Sequence, residues 1–194
     1  LARQKKLSDV ARPSAAVAIA VTLPLLLALV VAGIAIVARV RGVDGSAPPP
    51  PDTRPLAVAT VEAPEAGSTS CISLLAGLDG DLPAGTTTLP RRALADPAPS
   101  GVRAWAASPE SVVLRCGLPR PAELTPTAEL LEINGVRWLR LDDGAPDPQV
   151  LTYVAVDRPV YVALTLPTAV GSGPVQAVSD AVRTTLPTAA VVVR

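Results

Sequence analysis

A chain of 194 residues with formal net charge +0 and two cysteines has the length of one domain, or of one domain with a tail. After position 55 it carries 10 arginines against 14 acidic residues, so it lacks the basic stripe with which a nucleic-acid binder neutralises phosphates. There is no histidine anywhere and no lysine after Lys6. Ser-His-Asp, Cys-His and Ser-Lys mechanisms each lose their base in such a chain.

Residues 1–14 set Arg3, Lys5, Lys6 and Arg12 against Asp9 and read as a basic cytoplasmic tail. Residues 15–37 then run without a charge, interrupted only by Thr22, Pro24 and Gly33. As a helix this stretch reaches roughly 34 Å, enough for a hydrocarbon core of about 30 Å. A soluble helix buried in a core rarely stays apolar on every face for so long, and proline is tolerated inside membrane helices. The expectation is one transmembrane helix or signal anchor. The basic residues before it outweigh Arg39 and Arg41 after it, which places the N-terminus in the cytoplasm. The rival reading is a cleaved signal peptide, whose apolar region is ordinarily about 7–15 residues. A small-x-small pattern, Gly33-Ile34-Ala35, lies inside the apolar run.

Residues 38–55 form a Pro-rich linker. Its four consecutive prolines, Pro48 to Pro51, favour the extended polyproline II conformation. A stiff spacer is the simpler reading, because flanking residues that would specify an SH3-like or WW-like partner are not evident.

Residues 56–194 are long enough for a substantial core. The pattern predicts a strand over 56–62 and a helix over 70–78, capped by Ser68 or Thr69, with Gly80 near its end. Arg91-Arg92 reads as a solvated loop. Strands at 102–107 and 111–116 flank the turn Ser108-Pro109-Glu110, and 121–129 is ambiguous, in part helical. Residues 130–133 and 136–141 flank Asn134-Gly135, the signature of a two-residue type I′ hairpin. A second hairpin pairs 150–156 with 160–166 around Asp157-Arg158-Pro159. Gly171-Ser172-Gly173-Pro174 opens a helix to about residue 186, with proline suited to its first position. Its Val175, Val178, Val182 and Leu186 recur on one face, and 189–193 closes as a β-branched strand. The expected class is α+β: an antiparallel sheet with helices packed on it, preceded by one transmembrane helix.

Cys71 and Cys116 both follow the apolar segment, so a disulfide in an oxidising compartment fits the topology. A reactive thiol would want C-x-x-C spacing or a basic partner, and only Arg115 adjoins either cysteine. Zinc lacks its nitrogen ligands here, and no metal or cofactor is expected. Asp142, Asp143 and Asp147 have the oxygen density of a calcium loop. They lack its spacing, and a solvated turn is preferred. Gly171-Ser172-Gly173 at a helix start suits an anion, or simply a flexible loop. Trp105 and Trp138 read as core or edge residues of their strands, with pocket lining as the alternative. Asp157-Arg158 reads as a turn with a local ion pair, or as an arginine fork that grips a carboxylate or phosphate partner. Trp105, Trp138, Asp157 and Arg158 are therefore the candidate ligand or partner contacts, and no catalytic residue is identified.

Arg115-Cys116-Gly117-Leu118-Pro119-Arg120-Pro121, Asn134-Gly135-Val136-Arg137-Trp138 and the run from Tyr153 to Val162 around Asp157-Arg158-Pro159 form a set. Together with the earlier Cys71, this set resembles the domain-of-unknown-function family 3515 over roughly residues 56–194. The resemblance implies an actinobacterial exported or membrane-anchored protein and supplies no reaction, ligand or catalytic residue. The expected function is a membrane-anchored cell-envelope protein acting as a non-catalytic binding or assembly module. Its expected partners are the lipid bilayer and an envelope protein or cell-wall component, with no nucleic acid. The alternatives are a carboxylate-dependent envelope hydrolase and a structural membrane protein acting through its helix.

Overall fold

The computed structural model describes residues 15–40 and 50–193. The chain divides into two compact units, Leu1–Ala47 and Pro48–Arg194. The basic tail over residues 1–14 and the first two linker prolines lie outside the described residues.

In the first unit, α1 (Ala15–Val40) is a helix of 26 residues with Pro24 inside it. Its side chains are described from Pro24 to Val37, and all of these are exposed. Among the described residues no helix is long and apolar enough to cross a membrane. The described side chains of α1 cover fewer residues than the ~20 that a crossing takes.

The second unit is α+β. After α2 (Thr69–Gly77) come β1 (Leu82–Ala84), β2 (Thr87–Leu89), β3 (Arg91–Arg92), β4 (Val102–Trp105) and β5 (Val112–Leu118). Then follow β6 (Leu130–Ile133), β7 (Val136–Leu141), β8 (Val150–Ala155), β9 (Tyr161–Pro167) and α3 (Gly173–Thr185). β1 and β2 form a separate hairpin; the other seven strands make one antiparallel sheet in the order β3-β4-β5-β9-β8-β7-β6. The chain leaves the middle of this sheet after β5, crosses to the far edge at β6, and returns by three hairpins to lay β9 against β5.

Both helices pack on one face of the sheet. The stripe Val175, Val178 and Val182 of α3 and Leu74 of α2 meet Trp105, Leu114, Val162, Leu164 and Trp138. Ser68 caps α2 by accepting the Cys71 amide on its Oγ at 3.3 Å. The Cys71–Cys116 disulfide, with a Cα–Cα distance of 5.6 Å, then pins α2 to β5. The opposite face buries a smaller cluster, Leu124, Leu139, Val154, Val156 and Ala163, with Ala128 and Val191 packed against it. Residues 121–129, expected to be partly helical, are turns. Leu124 is their anchor, and Arg120 Nη1 donates to the Leu124 carbonyl at 2.7 Å.

Gly117 is the bulge residue of β5, where the register slips between Cys116 and Leu118. Its φ is +85°, and a Cβ there would collide with the backbone of Glu65 and Ala66. Only glycine lets that turn approach the disulfide-bearing strand so closely.

Three expectations are corrected. Residues 56–62 are not a strand: Leu56 makes one parallel bridge to Leu94, and residues 57–62 pair with no strand among the described residues. Residues 189–193 are not a strand either. Ala189 donates to the Asp157 carbonyl at 2.8 Å, and the neighbouring edges of β8 and β9 are already paired. Arg91-Arg92 is an edge strand rather than a solvated loop. Arg92 is buried, with Nη2 3.0 Å from Asp52 and Nη1 donating to Ser111 Oγ at 2.6 Å.

Candidate functional site

An open groove of about 1160 Å³ lies between the β1–β2 hairpin, the start of α3 and the turn after β4. Local sequence builds it. Gly171 turns the chain at φ +70° after a short 3-10 segment, Thr168–Val170. Gly173 then begins α3 against β1 so tightly that a Cβ would lie 2.5 Å from the Pro83 carbonyl oxygen. Ser172 makes no side-chain cap bond; its Oγ instead accepts from Gln176 Nε2 at 3.1 Å. Asn134 Nδ2 donates to the Gln176 carbonyl at 3.3 Å, tying the type I′ turn to α3. Pro50 and Pro51 of the linker form part of the rim.

The groove is polar but almost uncharged. Hydroxyls of Thr86, Thr87, Thr88 and Ser108 and the amides of Asn134 and Gln176 line it. Among its lining residues Asp180 is the one with a charged side chain, and it is exposed and 3.3 Å from Arg183. Glycoside cleavage needs two carboxylates across the scissile bond, and acyl transfer needs a nucleophile with a base. This surface has neither arrangement, whereas its hydroxyls and amides keep spare donors and acceptors for a ligand.

The candidate contacts read from the sequence lie elsewhere, inside the fold. Trp105 is fully buried, donates from Nε1 to the Gly80 carbonyl at 2.9 Å, and lies beneath the Arg91 guanidinium at 5.9 Å. Trp138 is equally buried, donates to Ser179 Oγ at 2.9 Å, and meets Tyr153 edge-on at 6.4 Å. Neither indole shows a face to solvent. Asp157 and Arg158 form a buried ion pair at 3.2 Å. The arginine fork is occupied internally: Nη2 donates to the Gly135 carbonyl at 2.7 Å, and Nη1 to Thr188 Oγ1 at 3.1 Å. It clips two hairpin turns and the C-terminal segment together.

Asp142, Asp143 and Asp147 serve their own loop. Asp142 and Asp143 accept the Gly144 and Ala145 amides at 3.0 Å each, and Asp147 accepts from Gln149 Nε2 at 3.4 Å. Among the described residues no group of three or more acidic, histidine or cysteine side chains is placed to hold a metal. At the start of the second unit Arg54 hydrogen-bonds Asp52 through both carboxylate oxygens at 3.0 Å. That contact holds the Asp52 carboxyl well below the usual carboxylate range.

Sequence reasoning singled out Gly171-Ser172-Gly173 but missed the threonines opposite. Thr87 and Thr88 sit on a strand of three residues, too short for a period-two signal, and Thr86 lies in the turn before it. The one usable cue was Gly85-Thr86 between two apolar-ended triplets, a two-residue hairpin loop.

The model of one protein family, described as a protein of unknown function (DUF3515), matches residues 21–191. No curated protein and no solved structure matches the chain.

Proposed function

The chain belongs to the DUF3515 family, and on that premise we propose that it is a membrane-anchored envelope protein whose outer domain binds rather than catalyses. The α3 groove is its partner surface, and the occupant is an uncharged, hydrogen-bonding segment of an envelope protein or cell-wall component.

The observation that carries this reading is the groove lining: hydroxyls and amides around a single solvent-exposed carboxylate. Anchoring is supported by the charge-free run over residues 15–37 and by the large apolar side chains exposed along α1, Leu25 through Val37. An uncovered apolar surface of that extent seeks lipid or protein. The disulfide suits an extracytoplasmic compartment. The N-terminus then lies in the cytoplasm and the second unit outside.

A photoreactive residue at Thr87 of the full chain, in cells, tests the groove against the same residue at the exposed Leu131 on the far edge. Neighbours captured only from Thr87 support the reading. Identical neighbours from both positions, or none from Thr87, overturn it.

A further inference from the structure

A second cavity, about 420 Å³, opens between the turn joining β4 to β5 and the segment running on from Leu56. Two arginines line it, and they differ. Arg92 is saturated: its Nε donates to the Arg54 carbonyl at 2.7 Å, and its other nitrogens hold Ser111 and Asp52. Arg115 has no such partners. It stands on β5 between its register partners Val102 and Ala163, both buried, and is itself partly buried. Among the described residues its side chain makes no ion pair, and its Nε is shielded from solvent without an acceptor. Burial pushes its pKa down, from a starting value so high that the charge persists.

A partly desolvated guanidinium without an acceptor is a cost to the fold. The group that relieves it is a planar anion taking two parallel hydrogen bonds. The remaining lining decides which anion. Asp52 and Glu110 also face the cavity, so the two arginines are balanced and a dianion gains nothing. Leu56, Val58 and Val113 add apolar wall, which suits a ligand with one negative charge and an apolar body. The backbone of residues 57–62 makes no hydrogen bond among the described residues, and Ala57, Val58 and Ala59 line the cavity. That free, non-helical main chain offers a ladder to a second extended chain.

We propose that this cavity binds the C-terminal carboxylate of an extended apolar peptide, with Arg115 gripping the carboxylate and residues 57–59 pairing with its backbone. The site shares Ala107 with the α3 groove but is otherwise lined by different residues, and it stands whether or not that groove binds a partner.

The test uses the full chain in detergent micelles with ¹⁵N-labelled arginine, following the Arg115 Nε–H resonance, assigned by its loss in Arg115→Lys. N-acetyl-alanyl-valine as the free acid is the probe, against its C-terminal amide, butyrate and inorganic phosphate. The free acid is expected to shift the resonance saturably, and the other three to bind at least about tenfold more weakly, the worth of one charge-assisted contact. In calorimetry Arg115→Gln is expected to lose the free-acid signal while unfolding at the same temperature or higher, since no internal bond is removed. No saturable shift with the free acid overturns the site. An equal response to the amide, butyrate or phosphate overturns the peptide-carboxylate assignment. A folded Arg115→Gln that keeps its affinity overturns the role of Arg115. Should that variant fail to fold, the acid-against-amide comparison on the unmodified chain still decides.

Discussion

Arg158 shows what a single side chain does in this protein. Its charge is almost fully buried, and it is compensated by Asp157, two carbonyls and Thr188. Removing one member of a buried pair strands the other, at a cost of about 3–5 kcal/mol. Arg158→Ala is therefore expected to lower stability by that amount in denaturant unfolding. Asp157→Asn, which keeps a polar acceptor beside the arginine, is expected to cost less. A loss under about 1 kcal/mol for Arg158→Ala would show that the clip is idle. The sequence marked Asp157-Arg158 as a turn with a local pair, and the pair is there. Gly135 and Thr188, the distant acceptors, were illegible, because no local pattern says which backbone a long side chain will reach. The same holds for Arg92: a doublet of arginines looks solvated until Asp52 and Ser111 are brought to it.

At the scale of elements, legibility followed locality. The hairpin at Asn134-Gly135 formed with φ of +49° and +76°, because type I′ geometry is dictated by the two residues in the turn. The α3 stripe and the Ser68 cap were legible for the same reason. Residues 56–62 and 189–193 have strand-like sequences and are not strands, since a strand needs a paired partner and β propensity does not supply one. The strands β1 to β3 are illegible in the sequence because two or three residues carry no periodicity. The disulfide is the strongest element-to-element restraint, closing a separation of 45 residues. Reduction is expected to cost about 4 kcal/mol in the chain-entropy picture. A paired Cys71→Ser, Cys116→Ser variant should melt well below the oxidised chain, and an unchanged midpoint would mean that α2 is held by packing alone.

For the whole molecule, the topology proposed above makes an unusual labelling prediction. Lys5 and Lys6 are the lysines of the sequence, and both precede the apolar run. A membrane-impermeant amine reagent added to intact cells is expected to leave both unmodified, while added protease cleaves the outer unit. After permeabilisation both lysines should react. Modification in intact cells would reverse the orientation. Taken by itself, the sequence determined the exclusion of histidine- and lysine-based chemistry, the apolar run, the α+β class, the two hairpins and the helix stripe. These depend on composition or on residues within a few positions of one another. Only the tertiary structure decided that β9 pairs with β5, that both tryptophans and the Asp157–Arg158 pair face inward, and that Arg115 stands beside a cavity without a partner among the described residues. Each of those outcomes depends on which distant segments meet, and burial and hydrogen-bond satisfaction settle that only once the whole sheet is assembled.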